Sequence, residues 1–252
     1  MKLESLLQYL DGYLRVPDHP DYSTALNGLQ VEGCGDVGHV ATAVDASQAS
    51  IEAAVEVGAD LLLVHHGLFW GGLQPLTGPL LRRVRPLVTH DVSLYSVHLP
   101  LDGHPEIGNS ALLARAVGIR TEHRFAAFQG AEIGWYGEAE EPCNALELQD
   151  RLAAALGGEV VLIPGGGEPI ERAGVVTGAG ASFAAEAAAL GLDALITGEA
   201  SHHHYFDAME LGIHLFLGGH YLTETFGVRA LGAHLEERFG LRWTFLDQPT
   251  GL

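Results

Sequence analysis

The sequence predicts an α/β protein: two related α/β lobes with largely parallel sheets, and a dinuclear metal site in the cleft between them. Strand and helix patterns alternate along most of the chain, as parallel strands joined by crossover helices require. Leu61-Leu62-Leu63-Val64 is continuously apolar, which suits a strand covered on both faces. Val44 to His66 can also be laid on Thr177 to Glu199 at a constant offset, so that Gly58 meets Gly191, Asp60 meets Asp193, Leu62 meets Leu195 and His66 meets Glu199. Both copies read strand, small-residue turn, helix, Gly-x-Asp, buried strand, polar residue, which implies two related halves.

The elements follow in order. Val40, Thr42 and Val44 alternate as a strand, and Ser47 or Ser50 caps a helix whose residues Ile51, Ala54 and Val55 share a face, with Gly58 ending it. After the Leu61–Val64 strand, Thr77 and Pro79 open another helix. Ser93 to His98 make a strand, and Asn109 is placed to cap the helix of Leu112, Leu113 and Ala116. Between Phe125 and Glu138, Gln129-Gly130 separates two extended runs as in an antiparallel hairpin, where a second lobe begins. Asn144 with Glu147 resembles a capping box, Glu159 to Ile163 is strand-like, and Pro164-Gly165-Gly166-Gly167 turns the chain. Beyond Glu224, Val228, Leu231 and Leu235 keep helical spacing, and Leu241, Trp243 and Phe245 alternate as a last strand. The lobes are expected at about 1–124, carrying His65, His66 and Asp102, and at about 125–252, where a return segment carries His220 and Glu224, with discontinuous lobes as the other arrangement.

Composition narrows the function classes. The chain has 252 residues, 47% of them hydrophobic, enough for a large core. A net charge of −19 works against general affinity for nucleic acid or anionic membranes. Arg82, Arg83 and Arg85 form the one basic cluster and read as a solvated helix face sooner than as a phosphate contact. Cys34 and Cys143 fit neither a disulfide framework nor a zinc ribbon. With no signal-peptide core at the start and no run of 18 apolar residues, the expected location is the cytoplasm.

The candidate chemistry sits at strand ends. His65 and His66 follow a buried strand at its carboxyl end, where open α/β sheets gather ligands. Neighbouring side chains of an extended segment point oppositely, so this pair reaches one metal only where the strand has ended, or serves two metals. Taken alone, the dipeptide reads equally as a core histidine beside an exposed one. His220 and Glu224, spaced i, i+4 at a helix opening after Gly218-Gly219, share a face; a helix-start histidine with a surface glutamate is the other reading. Asp102, shortly after Pro100, is a second carboxylate or a turn residue. Three imidazoles and two carboxylates suit a pair of divalent ions with a bridging carboxylate, and Zn, Mn or Fe would all be accepted. His98 is a candidate acid or base, a holder of Asp102 or water, or a satisfied near-core imidazole. Gly178-Ala179-Gly180-Ala181-Ser182 is an anion-receiving turn or a plain tight one. Ser201-His202-His203-His204 is a further metal-binding surface or, more simply, a polar helix start.

These segments resemble the GTP cyclohydrolase I type 2 homologue family, also called the NGG-interacting-factor-3-like proteins. The resemblance rests on Asn27-Gly28-Leu29-Gln30-Val31-Glu32-Gly33, His65-His66-Gly67 with Phe69-Trp70, His98-Leu99-Pro100-Leu101-Asp102, Thr197-Gly198-Glu199, and Gly219-His220 with Glu224, in the same order over essentially the whole chain. It implies His65, His66, Asp102, His220 and Glu224 as ligands of a dinuclear centre. It implies also a homohexamer built as a trimer of dimers, and hydrolytic opening of the guanine imidazole ring of GTP with release of formate. The chain is too short for the inserted middle domain of larger members, and the triple histidine is a departure.

The expected activity is therefore a metal-dependent hydrolase acting on a small molecule such as a nucleotide, with His98 as proton carrier. The alternative class is non-enzymatic: a metal-storing or metal-delivering assembly, or an interaction protein. A ring binding single-stranded nucleic acid is disfavoured, because no basic groove with interleaved aromatics is present in the sequence.

Overall fold

A computed structural model describes residues 1–33 and 35–252, so that Cys34 lies outside the described residues. Its strands are β1 (Gly28–Val31), β2 (His39–Asp45), β3 (Leu61–His66), β4 (Ser93–Ser96), β5 (His123–Phe128), β6 (Ala131–Cys143), β7 (Val161–Pro164), β8 (Ile170–Val175), β9 (Ala194–Thr197), β10 (His214–Leu217) and β11 (Arg242–Phe245). The chain forms two compact units: Met1–Leu101 with Gly227–Gln248, and Asp102–Phe226 with Pro249–Leu252.

In the first unit the sheet order is β1-β4-β3-β2-β11, parallel except for β1, which runs antiparallel to β4. The apolar strand β3 is central and its four residues Leu61 to Val64 are fully buried. Ile51, Leu62, Leu87, Leu94 and Leu246 pack in one core, each side chain stabilising by roughly 1.5–3 kcal/mol. Ser47 caps helix Gln48–Glu56 by accepting from the Ser50 N–H, as its side-chain chemistry predicts. Arg82, Arg83 and Arg85 lie on helix Gly78–Thr89, with Arg82 and Arg85 exposed.

Both units are discontinuous in sequence. Strand β11, from the far end of the chain, pairs in parallel with β2, and Trp243 Nε1 donates to Thr42 Oγ1 at 2.9 Å. The edge of β2 would otherwise leave backbone N–H and C=O groups without ladder partners, a cost that outweighs proximity in sequence.

The second unit holds a sheet ordered β5-β6-β8-β9-β10-β7, in which β8, β9 and β10 are parallel. The Gln129-Gly130 hairpin is present as the β5–β6 pair. Helix Ala145–Leu156 carries the full capping box of Asn144 and Glu147. Its Leu148 and Leu152 bury against Ile170, Val175, Ile196 and Phe216. One capping expectation changes. Gly108, not Asn109, is the N-cap of helix Asn109–Ala116, and the Asn109 amide instead donates to Asp102 at 2.9 Å.

The internal repeat extends to individual hydrogen bonds. Asp60 Oδ2 accepts from the N–H groups of Gly38 at 2.8 Å and His39 at 2.9 Å; Asp193 Oδ2 accepts from those of Glu171 and Arg172, both at 2.9 Å. Both helices before these aspartates end on a left-handed glycine, Gly58 at φ 68° and Gly191 at φ 71°. The order β1-β4-β3-β2 recurs as β7-β10-β9-β8, with the first strand antiparallel in each. In each copy the next strand leads to a one-turn helix, Leu99–Asp102 after β4 and His220–Thr223 after β10. Duplicated topology thus delivers polar residues to the same two places in each unit: the end of the central strand and the turn after its neighbour.

Candidate metal centre

In the first unit three imidazoles converge. His65 is fully buried at the end of β3, His66 follows it, and His98 lies two residues beyond β4. One ligand atom from each of the three falls within a single 4.8 Å cluster. Each Nδ1 has an acceptor: the Val97 carbonyl at 3.0 Å for His65, Asp45 Oδ1 at 2.9 Å for His66 and Asp21 Oδ1 at 2.9 Å for His98. A carbonyl or carboxylate oxygen only accepts here, so each Nδ1 carries a proton, and a ring in its neutral form then has its lone pair on Nε2. That is the tautomer of a histidine prepared to ligate through Nε2.

Two residues of the Asn27–Gly33 segment hold this cluster. Gln30 Oε1 accepts from the Leu68 N–H at 2.8 Å while its Nε2 donates to the Leu26 carbonyl at 3.0 Å, fixing the segment just after His66. Asn27 Oδ1 accepts from the His98 N–H at 2.7 Å, and its Nδ2 donates to Asp21 Oδ2 at 2.8 Å. Burial pushes the Asp21 carboxyl up, but the bonds from His98, Asn27 and Leu99 outweigh it and hold the group below the usual carboxylate range. Sequence reading missed Asp21 and Asp45. For Asp45 a signal existed: it closes β2 directly beside His66 in the parallel register.

The second unit brings Asp102, His220 and Glu224 together. Asp102 accepts from Asn109 Nδ2 at 2.9 Å and from Thr177 Oγ1 at 3.3 Å, and one of its oxygens lies within 4.8 Å of a Glu224 oxygen. Both carboxylates are buried, at 6% and 3% exposure. Glu224 Oε1 meets His220 Nε2 at 3.2 Å, and Glu199 Oε1 meets His220 Nδ1 at 3.2 Å. The Glu224 bond, against the opposing effect of burial and aided by Glu199, pushes the metal-free His220 up to about 9. His220 lies in the turn His220–Thr223 and Glu224 just past it, at the junction with helix Thr225–Phe239.

Two weaker signals resolve. The Gly178 N–H donates to Thr223 Oγ1 and the Gly180 N–H to Thr197 Oγ1, so these donors serve the turn, not an anion. His204 Nδ1 accepts from the Ser201 N–H at 3.0 Å, the local bond of a polar helix start; His203, His204 and Asp207 still place ligand atoms within 4.8 Å of one another, largely exposed.

The donor set itself tests whether a metal fits. Two buried carboxylates at close range in one unit, and three rings with Nδ1 engaged in the other, suit oxygen- and nitrogen-liganded divalent ions. Fold and donors define a two-unit α/β protein with residues suited to binding metal. The chain belongs to the Duf34/NIF3 (NGG1p interacting factor 3) family, whose model matches residues 1–250. A protein of Deinococcus radiodurans named GTP cyclohydrolase 1 type 2 homolog is 47% identical over 250 residues, covering 99% of this chain and 94% of its own. A namesake from Pyrococcus horikoshii is 41% identical with full coverage of both chains. Among solved structures, protein ybgI, described as of unknown function, superposes with a TM-score of 0.94 at 40% identity over all of both chains. A Thermus thermophilus protein gives 0.88 at 40% identity, again over both whole chains. Among the described residues, no helix is long and apolar enough to cross a membrane.

Proposed function

We propose that the protein is a dinuclear metal-dependent hydrolase of the cytoplasm, working as a homohexamer arranged as a trimer of dimers. His65, His66, Asp102, His220 and Glu224 are the proposed ligands, and the ions are Zn, Fe or Mn. The observation that carries this reading is the Asp102–Glu224 pair, two buried carboxylates with oxygens within 4.8 Å. Like charges at that range are costly in a dry site unless a proton or a cation neutralises them. Bound divalent ions would polarise the substrate and lower the pKa of water enough for hydrolysis at neutral pH.

The remaining work falls to the chain's own groups. Asn109 and Thr177 orient Asp102, Glu199 orients His220, and Asp45 orients His66. His98, held by Asp21, moves a proton at its Nε2. The names of the relatives support a nucleotide such as GTP as substrate, through hydrolytic opening of its guanine imidazole ring and loss of formate. Because the chain is strongly acidic, a triphosphate would depend on local metal charge for its attraction.

Two measurements test the reading. Elemental analysis after anaerobic purification should give close to two transition-metal equivalents per chain, and formate release from GTP should vanish on chelation. Glu224→Gln should lower metal affinity or turnover by roughly ten-fold or more, because the amide keeps size and hydrogen bonding but loses the anionic ligand. Glu236→Gln, exposed on the following helix, should change neither. Metal retained with no hydrolysis across a panel of nucleotides and cyclic amides would instead select the storage or delivery reading. Light scattering should report six chains.

A further inference from the structure

The run Ser201-His202-His203-His204 takes no part in the buried centre, and two of its histidines meet a carboxylate. His203 has helical dihedral angles, φ −66° and ψ −29°, although it precedes the helix His204–Leu211. Asp207 therefore stands four residues beyond His203 and three beyond His204 on one helical path, the two spacings that place side chains on a common face. One ligand atom from each of the three lies within a single 4.8 Å cluster. Consecutive helical residues project about 100° apart, so neighbouring side chains diverge unless their rotamers lean together. Here the two rings do lean together, with centroids 4.1 Å apart and planes inclined by 41°. His202 is engaged elsewhere, edge-on to Phe206 with 5.7 Å between centroids.

An aspartate in a first helical turn is accounted for by the helix dipole alone. Two imidazoles converging on it are not. The cluster lines an open cavity of about 600 Å³, whose other walls include the small side chains of Ala181, Ala184 and Ala185. These leave room for water to complete a coordination shell. Glu210 on the same cavity, together with the net charge of −19, offsets the positive end of the dipole and attracts a cation. Two nitrogen donors and one carboxylate suit a borderline transition ion such as Zn²⁺, Ni²⁺ or Cu²⁺, whereas Ca²⁺ and Mg²⁺ take oxygen.

We propose that His203, His204 and Asp207 form a second, surface metal site, which takes one divalent transition ion with water completing its shell. It shares no ligand with the buried centre and does not depend on the hydrolase reading. His203 and Asp207 are exposed and His204 is half-buried, so solvent screens the attraction and the ion exchanges readily. Ion binding must also break a local bond. His204 Nδ1 accepts from the Ser201 N–H at 3.0 Å. An ion at Nδ1 takes that lone pair, and an ion at Nε2 moves the ring proton onto Nδ1, so in either case the Ser201 N–H is released. Ser201 is exposed, and water receives the freed donor.

The test is a calorimetric Zn²⁺ titration of the full-length protein, loaded with Zn²⁺ and then dialysed so that only tightly held metal stays. Wild type should bind one further Zn²⁺ per chain, and the Ser201 amide resonance should move as it binds. His203→Ala and Asp207→Asn should each weaken this step roughly ten-fold or more, while His202→Ala, outside the cluster, should keep both the step and the amide shift. No further Zn²⁺ in wild type would overturn the proposal. Equal weakening by His202→Ala, with Asp207→Asn unchanged, would do the same, since a plain histidine run captures metal in that way. Should the variants misfold, diethyl pyrocarbonate labelling of wild type, mapped by mass spectrometry, decides. Zn²⁺ should protect His203 and His204 and leave His202 reactive; protection of all three alike, or of none, would refute the site. Metal retained through dialysis reports separately on the buried centre.

Discussion

Glu199 Oε1 lies 3.2 Å from His220 Nδ1, so that His220, already against Glu224 through Nε2, has a carboxylate on each ring nitrogen. In the metal-free protein this arrangement favours the imidazolium and raises its folded pKa to about 9. A raised folded pKa stabilises the fold fully below the unfolded value of about 6.5, and the contribution disappears as pH climbs through the folded value. With chelator present, the urea midpoint should therefore fall between about pH 6.5 and about pH 9.5. His220→Gln should remove that component of the fall. An identical pH dependence in the variant would show that the paired carboxylates do not act through His220.

Gly178 sits beneath the same carboxylate. Its φ is 66°, and a Cβ built there would meet Glu224 Oε1 at 2.3 Å. Alanine in a left-handed conformation costs roughly 1 kcal/mol, and the added methyl must also push the buried Glu224 side chain aside. Gly178→Ala should thus cost about 1–2 kcal/mol of stability but a larger share of metal affinity. Chelator competition beside a thermal melt separates the two. Intact affinity in a destabilised variant would mean that Glu224 has room to yield without leaving its ligand position.

Much of this was legible because the chemistry is local. The buried run Leu61 to Val64 marks β3, the Asn144–Glu147 box marks a helix start, and i, i+4 spacing puts His220 and Glu224 together before any contact is known. What escaped depends on long-range pairing. Asp21 reaches His98 across 77 residues, and nothing in a linear pattern ties an aspartate in a loop to that imidazole; Asp45, at the end of β2, meets His66 across 21 residues only once the register of β2 on β3 is known. The sheet that takes β11 is not legible in the sequence for a related reason. Alternation identifies a strand without saying which sheet edge will take it.

Tyr95 offers a test in the first unit's interior. It is fully buried in β4, and its hydroxyl donates to Asp11 Oδ1 at 2.8 Å. Burial first, then the neighbouring carboxylate, pushes its phenol far above the usual range. Because the folded pKa is raised, the stabilisation is whole below about pH 10 and is lost only above it. Absorbance at alkaline pH should show one tyrosine that ionises only when the protein unfolds. Tyr95→Phe should cost roughly 1 kcal/mol and abolish that late step. A late tyrosine that persists in the variant would place it elsewhere.

The repeat makes a quantitative demand on Asp60 and Asp193. Each accepts from two consecutive backbone N–H groups at the start of the preceding strand, and each returns its own N–H to the second of those residues, His39 or Arg172, at 2.9 Å. Removing the carboxylate strips two charge-assisted bonds, worth about 1.5–3 kcal/mol apiece at most and less where water reaches the freed donor, as at the exposed Gly38. Asp60→Ala and Asp193→Ala should therefore each destabilise by about 1–3 kcal/mol and agree with one another within about 1 kcal/mol. They share no hydrogen-bond partner, so the double variant should lose the sum within about 0.5 kcal/mol if both units unfold in one transition. A clean separation into two transitions, with each substitution lowering only one of them, would show that the duplicated units retain separate stabilities. A loss confined to one aspartate would mean that the matching bonds are a coincidence of geometry, and the argument for two equivalent halves would fall back on strand order alone.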